Sequence, residues 1–133
     1  VTTPVRLDHA AVWTTDIERL RDFYVRWFGA TAGARYANPR KAFESYFLTF
    51  PGGGARLELM AVPDLAPNAA SPVPRAGYAH IALAVGSEAA VDALAESLRN
   101  AGLTVADGPR RTGDGYYECV VLDPDGNRVE ITV

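Results

Sequence analysis

Leu7-Asp8-His9-Ala10-Ala11-Val12-Trp13 (LDHAAVW) and Tyr78-Ala79-His80-Ile81-Ala82-Leu83-Ala84 (YAHIALA) are two short apolar stretches of equal length, each holding one histidine. They are the only histidines in the chain. Both stretches lead into the same succession of signals. After the first comes Asp16, a good helix N-cap, then Ile17, Leu20, Tyr24, Trp27 and Phe28 at helical spacing, closed by Gly29. After the second comes Ser87, then Val91, Leu94, Leu98 and Ala101, closed by Gly102. Each half then continues with three extended segments. They are expected at Thr31–Tyr36, Phe43–Phe50 and Ala55–Val62, and again at Leu103–Asp107, Tyr116–Leu122 and Arg128–Val133. The last two of each set are joined by turn sequences, Pro51-Gly52-Gly53-Gly54 and Asp123-Pro124-Asp125-Gly126. The chain therefore reads as a duplicated strand–helix–strand–strand–strand unit, an α+β fold of two βαβββ modules. Module 1 covers about 5–62 and module 2 about 78–133, together one domain. The proline-rich stretch Pro63–Gly77 links them.

The repeat extends to chemistry. Glu58 and Glu130 lie in the last strand of each half, and the spacing from His9 to Glu58 matches that from His80 to Glu130 to within one residue. Side chains alternate faces along a strand. Ile81 and Leu83 share one face while His80, Ala82 and Ala84 share the other. Val129 and Ile131 oppose Arg128, Glu130 and Thr132, and Leu57 and Leu59 oppose Arg56, Glu58 and Met60. All four candidate residues thus avoid the faces that pack on the helices. The small Ala11, Ala82 and Ala84 leave room beside them. A lone His or Glu on the polar face of an antiparallel sheet is ordinarily just solvated. Four at matched positions of a duplicated pattern point instead to one divalent ion held by His9, Glu58, His80 and Glu130. Two imidazoles and two carboxylates suit Ni, Zn, Co, Mn or Fe.

Composition narrows the alternatives. The 133 residues are 48% hydrophobic and 22% charged, enough apolar material for a packed core. A net charge of −3 with scattered Lys and Arg gives no footprint for nucleic acid or an anionic membrane surface. No apolar run reaches bilayer-spanning length, and Val1–Asp8 lacks the pattern of a signal peptide. Cys119 is the single thiol, so no intrachain disulfide forms, which fits a cytoplasmic protein.

With the ligand pattern in place, the chain resembles the vicinal-oxygen-chelate superfamily, which includes glyoxalase I, the fosfomycin and bleomycin resistance proteins, methylmalonyl-CoA epimerase and the extradiol dioxygenases. The resemblance spans essentially the whole chain. It is carried by Leu7–Val12, Asp22-Phe23-Tyr24 with Phe28-Gly29, Leu57-Glu58-Leu59, Gly77–Ala82 and Asp123–Glu130. It implies paired βαβββ modules whose curled mixed sheets surround a metal cavity. The His, Glu, His, Glu set most resembles glyoxalase I and its single-domain relatives. Dioxygenases of the superfamily show two His and one Glu, and the epimerases carry Gln where Glu58 stands.

Glyoxalase I-like chemistry implies a lyase or isomerase. The ion polarises two neighbouring substrate oxygens and stabilises an enediolate, with Glu130 moving the proton and Glu58 as ligand and partner base. Two positions depart from the glutathione-dependent pattern. Trp13 stands where an Arg clamps the glutamyl carboxylate, and Val62 stands where an Asn is expected. Neither side chain replaces a bidentate clamp, so the small oxygen-chelating substrate is not expected to be glutathione-linked. Trp13 and Met60 are candidates to line its pocket. Arg56 and Arg128 are candidates to hold an anionic group, or else are plain surface residues. By the same resemblance, short members form homodimers with sites at the interface, the two halves of each site coming from different chains. Two other functions stay open: a drug- or metabolite-binding resistance protein without turnover, and an Fe(II) extradiol dioxygenase, in which Glu58 would occupy a position needed by substrate or oxygen.

Overall fold

The computed structural model describes residues 3–69 and 71–133. By its internal contacts the chain divides into two units, Val1–Pro67 and Asn68–Val133.

In the first unit, β1 (His9–Trp13) leads into α1 (Ile17–Phe28), followed by β2 (Thr31–Ala32), β3 (Tyr36–Asn38), β4 (Phe43–Thr49) and β5 (Arg56–Ala61). The Asp16 side chain accepts a hydrogen bond from the Arg19 amide at 3.0 Å, satisfying a donor that the helix leaves orphaned. Gly29 ends the helix at φ 65°, a left-handed position that a side chain would strain. β1 pairs parallel with β5, β5 antiparallel with β4, and β4 with both β2 and β3. The helix buries Ile17, Leu20, Phe23 and Tyr24 as Leu48, Leu57 and Leu59 are buried from the sheet.

The second unit repeats the plan. β6 (Ile81–Ala84), α2 (Glu88–Asn100), β7 (Val105–Arg111), β8 (Tyr117–Leu122) and β9 (Arg128–Thr132) form a sheet ordered β6-β9-β8-β7, with β6 parallel to β9. Ser87 caps α2 by accepting from the Ala90 amide. Val91, Ala95 and Leu98 are buried from the helix, and Cys119, Val121, Val129 and Ile131 from the sheet. Each sheet thus has one face committed to its helix and one open face. No helix among the described residues is long and apolar enough to cross a membrane.

Three details differ from the expected elements. The Thr31–Tyr36 strand is broken, because Gly33, Ala34 and Arg35 stand opposite only Tyr46 and Phe47 of β4. This is a bulge: the extra residue cannot keep the ladder in step, and pairing resumes one position displaced. β6 begins at Ile81, so His80 lies just before the ladder. β7 runs on to Arg111, and its pairing with β8 shifts register on either side of Asp107. At Gly108 (φ 73°) a Cβ would lie 2.7 Å from the Glu118 carbonyl oxygen, so only glycine fits this close approach.

Candidate metal centre

His9 and Glu58 come from neighbouring parallel strands. Ala11 is the register partner of Glu58, and His9 lies across from Arg56. The alternation places His9, Ala11, Trp13, Glu58 and Met60 on the sheet's open face. There His9 Nε2 is 3.7 Å from Glu58 Oε1. In the second unit, Ala82 is the partner of Glu130, and His80 Nε2 is 3.1 Å from Glu130 Oε2.

Each unit therefore brings its predicted His and Glu together as a pair. Among the described residues no three His, Cys, Asp or Glu cluster within ligating distance, so each unit presents a pair of donors. The 3.1 Å separation of His80 and Glu130 fits a shared ion, and the 3.7 Å between His9 and Glu58 is wider. Two donors with bonds of about 2.1 Å at right angles to each other lie roughly 3 Å apart. The glutamates are also not ordinary surface charges. Their side chains are only 16% and 18% exposed, on faces that carry alanines. Taking a carboxylate that far out of water needs a counter-charge or a ligand. Two imidazoles and two carboxylates fit a borderline divalent ion by donor chemistry.

Three features were not expected. Asp8 Oδ2 lies 2.9 Å from His9 Nδ1 and accepts from Arg56 Nη2 at 2.8 Å, while its Oδ1 accepts from Arg6 Nη2 at 2.9 Å. The His9 contact, with Arg56 behind it, holds the Asp8 carboxyl well below the usual carboxylate range. Arg56, a candidate anion holder, is thus tied to Asp8, and its guanidinium sits 4.3 Å over the Phe47 ring. Secondly, Glu118 sits beside Glu130. Sharing a hydrogen bond with Glu130, and then partial burial, push its carboxyl up to about 7. Glu118 shares a face of β8 with Val120, and the register that pairs Val120 with Glu130 brings it there. Thirdly, the face around Trp13 is aromatic. Trp13 (48% exposed) meets Phe43 edge-on at 6.4 Å, and Phe43 lies 6.2 Å from Tyr36 (55% exposed). Met60 is the register partner of Trp13. Arg128 is exposed at the start of β9 opposite Leu122. A cavity of about 430 Å³ lies at the β3–β4 end of the first unit, lined by Phe43, Ala61 and Pro63 among others, and neither His9 nor Glu58 reaches it.

Residues 6–131 match the model of the Glyoxalase/Bleomycin resistance protein/Dioxygenase superfamily. The chain belongs to that superfamily. It is similar to an uncharacterised protein of Pseudomonas aeruginosa, 32% identical over 95% of this chain and 86% of the relative. Among solved structures it is similar to the trypanothione-dependent glyoxalase I of Leishmania major, with TM-score 0.76 and 21% identity over 97% of this chain and 86% of that one. A glyoxylase/bleomycin resistance protein/dioxygenase domain from Frankia sp. EAN1pec gives TM-score 0.81 and 17% identity, covering 98% of each chain. At these identities the structural likeness establishes the fold.

Proposed function

We propose that this chain is a metal-dependent lyase or isomerase of glyoxalase I type, acting on a small substrate with two neighbouring oxygens. One observation carries the proposal: each unit presents a His–Glu pair on the open face of its sheet, with the carboxylates mostly withdrawn from water. His9, Glu58, His80 and Glu130 together would hold one divalent ion, Ni, Zn, Co, Mn or Fe. A bound ion supplies Lewis-acid polarisation of the substrate oxygens. Glu130 would take the proton from the carbon beside the substrate carbonyl and return it to the neighbouring carbon, with Glu58 as ligand and partner base. Glu118, against Glu130, is placed to keep that carboxylate oriented.

The substrate side is set by Trp13, Met60, Phe43 and Tyr36, which offer apolar rings and no carboxylate clamp. With Arg56 committed to Asp8, the charge near His9 is already balanced. The expected substrate is therefore apolar or aromatic beyond its two oxygens, and not a glutathione adduct. Both pairs are needed for one site, and the linker 63–77 can extend roughly 45 Å. We place the halves of each site on two chains of a homodimer. The aromatic patch also favours a second function, capture of a drug or metabolite without turnover, since rings alone suffice for binding.

The test is metal analysis of protein purified without chelator, uptake of Ni, Co, Mn or Zn, and then a screen of α-hydroxycarbonyls and hemithioacetals for isomerisation. Metal uptake with turnover of a substrate free of glutathione is the expected result. Protein that carries no metal and takes none up overturns the proposal. Efficient isomerisation of glutathione hemithioacetal overturns the substrate assignment.

A further inference from the structure

The two histidines face different chemical surroundings. An ionised carboxylate only accepts hydrogen bonds, so the Asp8 oxygen 2.9 Å from His9 Nδ1 requires the proton on Nδ1. That leaves the Nε2 lone pair turned toward Glu58, 3.7 Å away. His80 lacks that support: its Nε2 lies 3.1 Å from Glu130, and Ala79 precedes it where Asp8 precedes His9. Asp8 is itself fixed on both oxygens, by Arg6 and by Arg56, and its carbonyl accepts from the Arg56 amide at 3.0 Å. The phenyl ring of Phe47 meets the His9 ring edge-on at 5.2 Å and limits its rotation.

We propose that Asp8 is a positioning residue: it locks His9 in the Nδ1–H tautomer with Nε2 facing Glu58, so that the first His–Glu pair is preset for metal. This rests on the metal-dependent function of the site. A carboxylate behind a ligating imidazole fixes the ring and raises its basicity, and loss of such a partner costs about 10–100-fold in metal affinity.

The test begins without metal. In ¹⁵N-labelled protein at about pH 8.5, where free imidazole is neutral, long-range proton–nitrogen spectra give two imidazole patterns, assigned with His80→Ala. The expected result is Nδ1–H for His9. Asp8→Ala should move His9 to Nε2–H and weaken Ni or Co binding by about 10–100-fold. Asp8→Asn keeps an amide oxygen that accepts from Nδ1–H and should retain the tautomer and most of the affinity. A wild-type His9 with Nε2–H overturns the inference. So does an Asp8→Ala protein whose His9 tautomer or metal affinity is unchanged. Wild-type protein with the His9 tautomer as expected but no metal uptake overturns the metal-dependent function instead, and the preset pair with it.

Discussion

Trp13 shows how one side chain redirects a site. It shares the open face with His9 and Glu58, and its ring is half-exposed against Phe43. A ring in that place adds apolar contact area for an aromatic substituent. Metal-loaded protein is expected to bind benzohydroxamate at least about tenfold more tightly than acetohydroxamate, both being vicinal-oxygen chelators, by calorimetry. Trp13→Ala should erase most of that difference and leave acetohydroxamate nearly unaffected. Equal binding of both by the wild type would remove the aromatic assignment. Cys119 makes the opposite point. It is buried in β8 and unpaired, and burial pushes its thiol up to about 11. A protonated, covered thiol is a poor nucleophile. Iodoacetamide at pH 8 should leave it unmodified for hours in folded protein and alkylate it within minutes in urea, as followed by mass.

At the scale of elements, each helix is held by its apolar stripe and started by its cap. Leu98 is fully buried on α2. Leu98→Ala should cost about 2–5 kcal/mol through lost transfer energy and the cavity left behind. Asp16→Ala removes the cap bond to Arg19 and should cost about 1 kcal/mol. Urea denaturation followed by circular dichroism measures both, and a larger loss for Asp16→Ala than for Leu98→Ala would contradict a core built on α2. Gly108 lies where β7 shifts register against β8. Gly108→Ala is expected to cost at least about 1 kcal/mol, since it meets both a positive φ and the Glu118 carbonyl.

At the scale of the whole molecule the proposal is that the two His–Glu pairs together form one site. Loss of a direct ligand should be steeper than loss of an outer-shell partner. His80→Ala and Glu130→Ala should each lower metal affinity by more than about a hundredfold. Mixing His9→Ala with His80→Ala chains under exchange distinguishes the two assemblies. In a two-fold dimer with cross-chain sites, one of the two sites in each heterodimer recovers all four ligands. Half the sites then regain metal. Heterodimers that remain as metal-poor as either parent would place each site within a single chain.

The duplicated order of elements was legible from His9, His80, the caps Asp16 and Ser87, and the turn sequences, because caps, turns and face alternation are local properties of the backbone. The same alternation put each His on the face of its Glu. No distance could be read from the sequence. That His9 meets Glu58 depends on β1 lying parallel beside β5, a pairing between strands far apart in the chain. The bulge at Gly33–Arg35 escaped for the same reason, since it exists only relative to β4. Asp8 and Glu118 carry no signal of their own in the sequence. Their roles come from Arg56 and Glu130 on neighbouring strands. Side-chain chemistry and spacing are written in the chain, whereas the partner that turns a carboxylate into a support or a proton-sharing neighbour is set by strand register, which only the tertiary structure fixes.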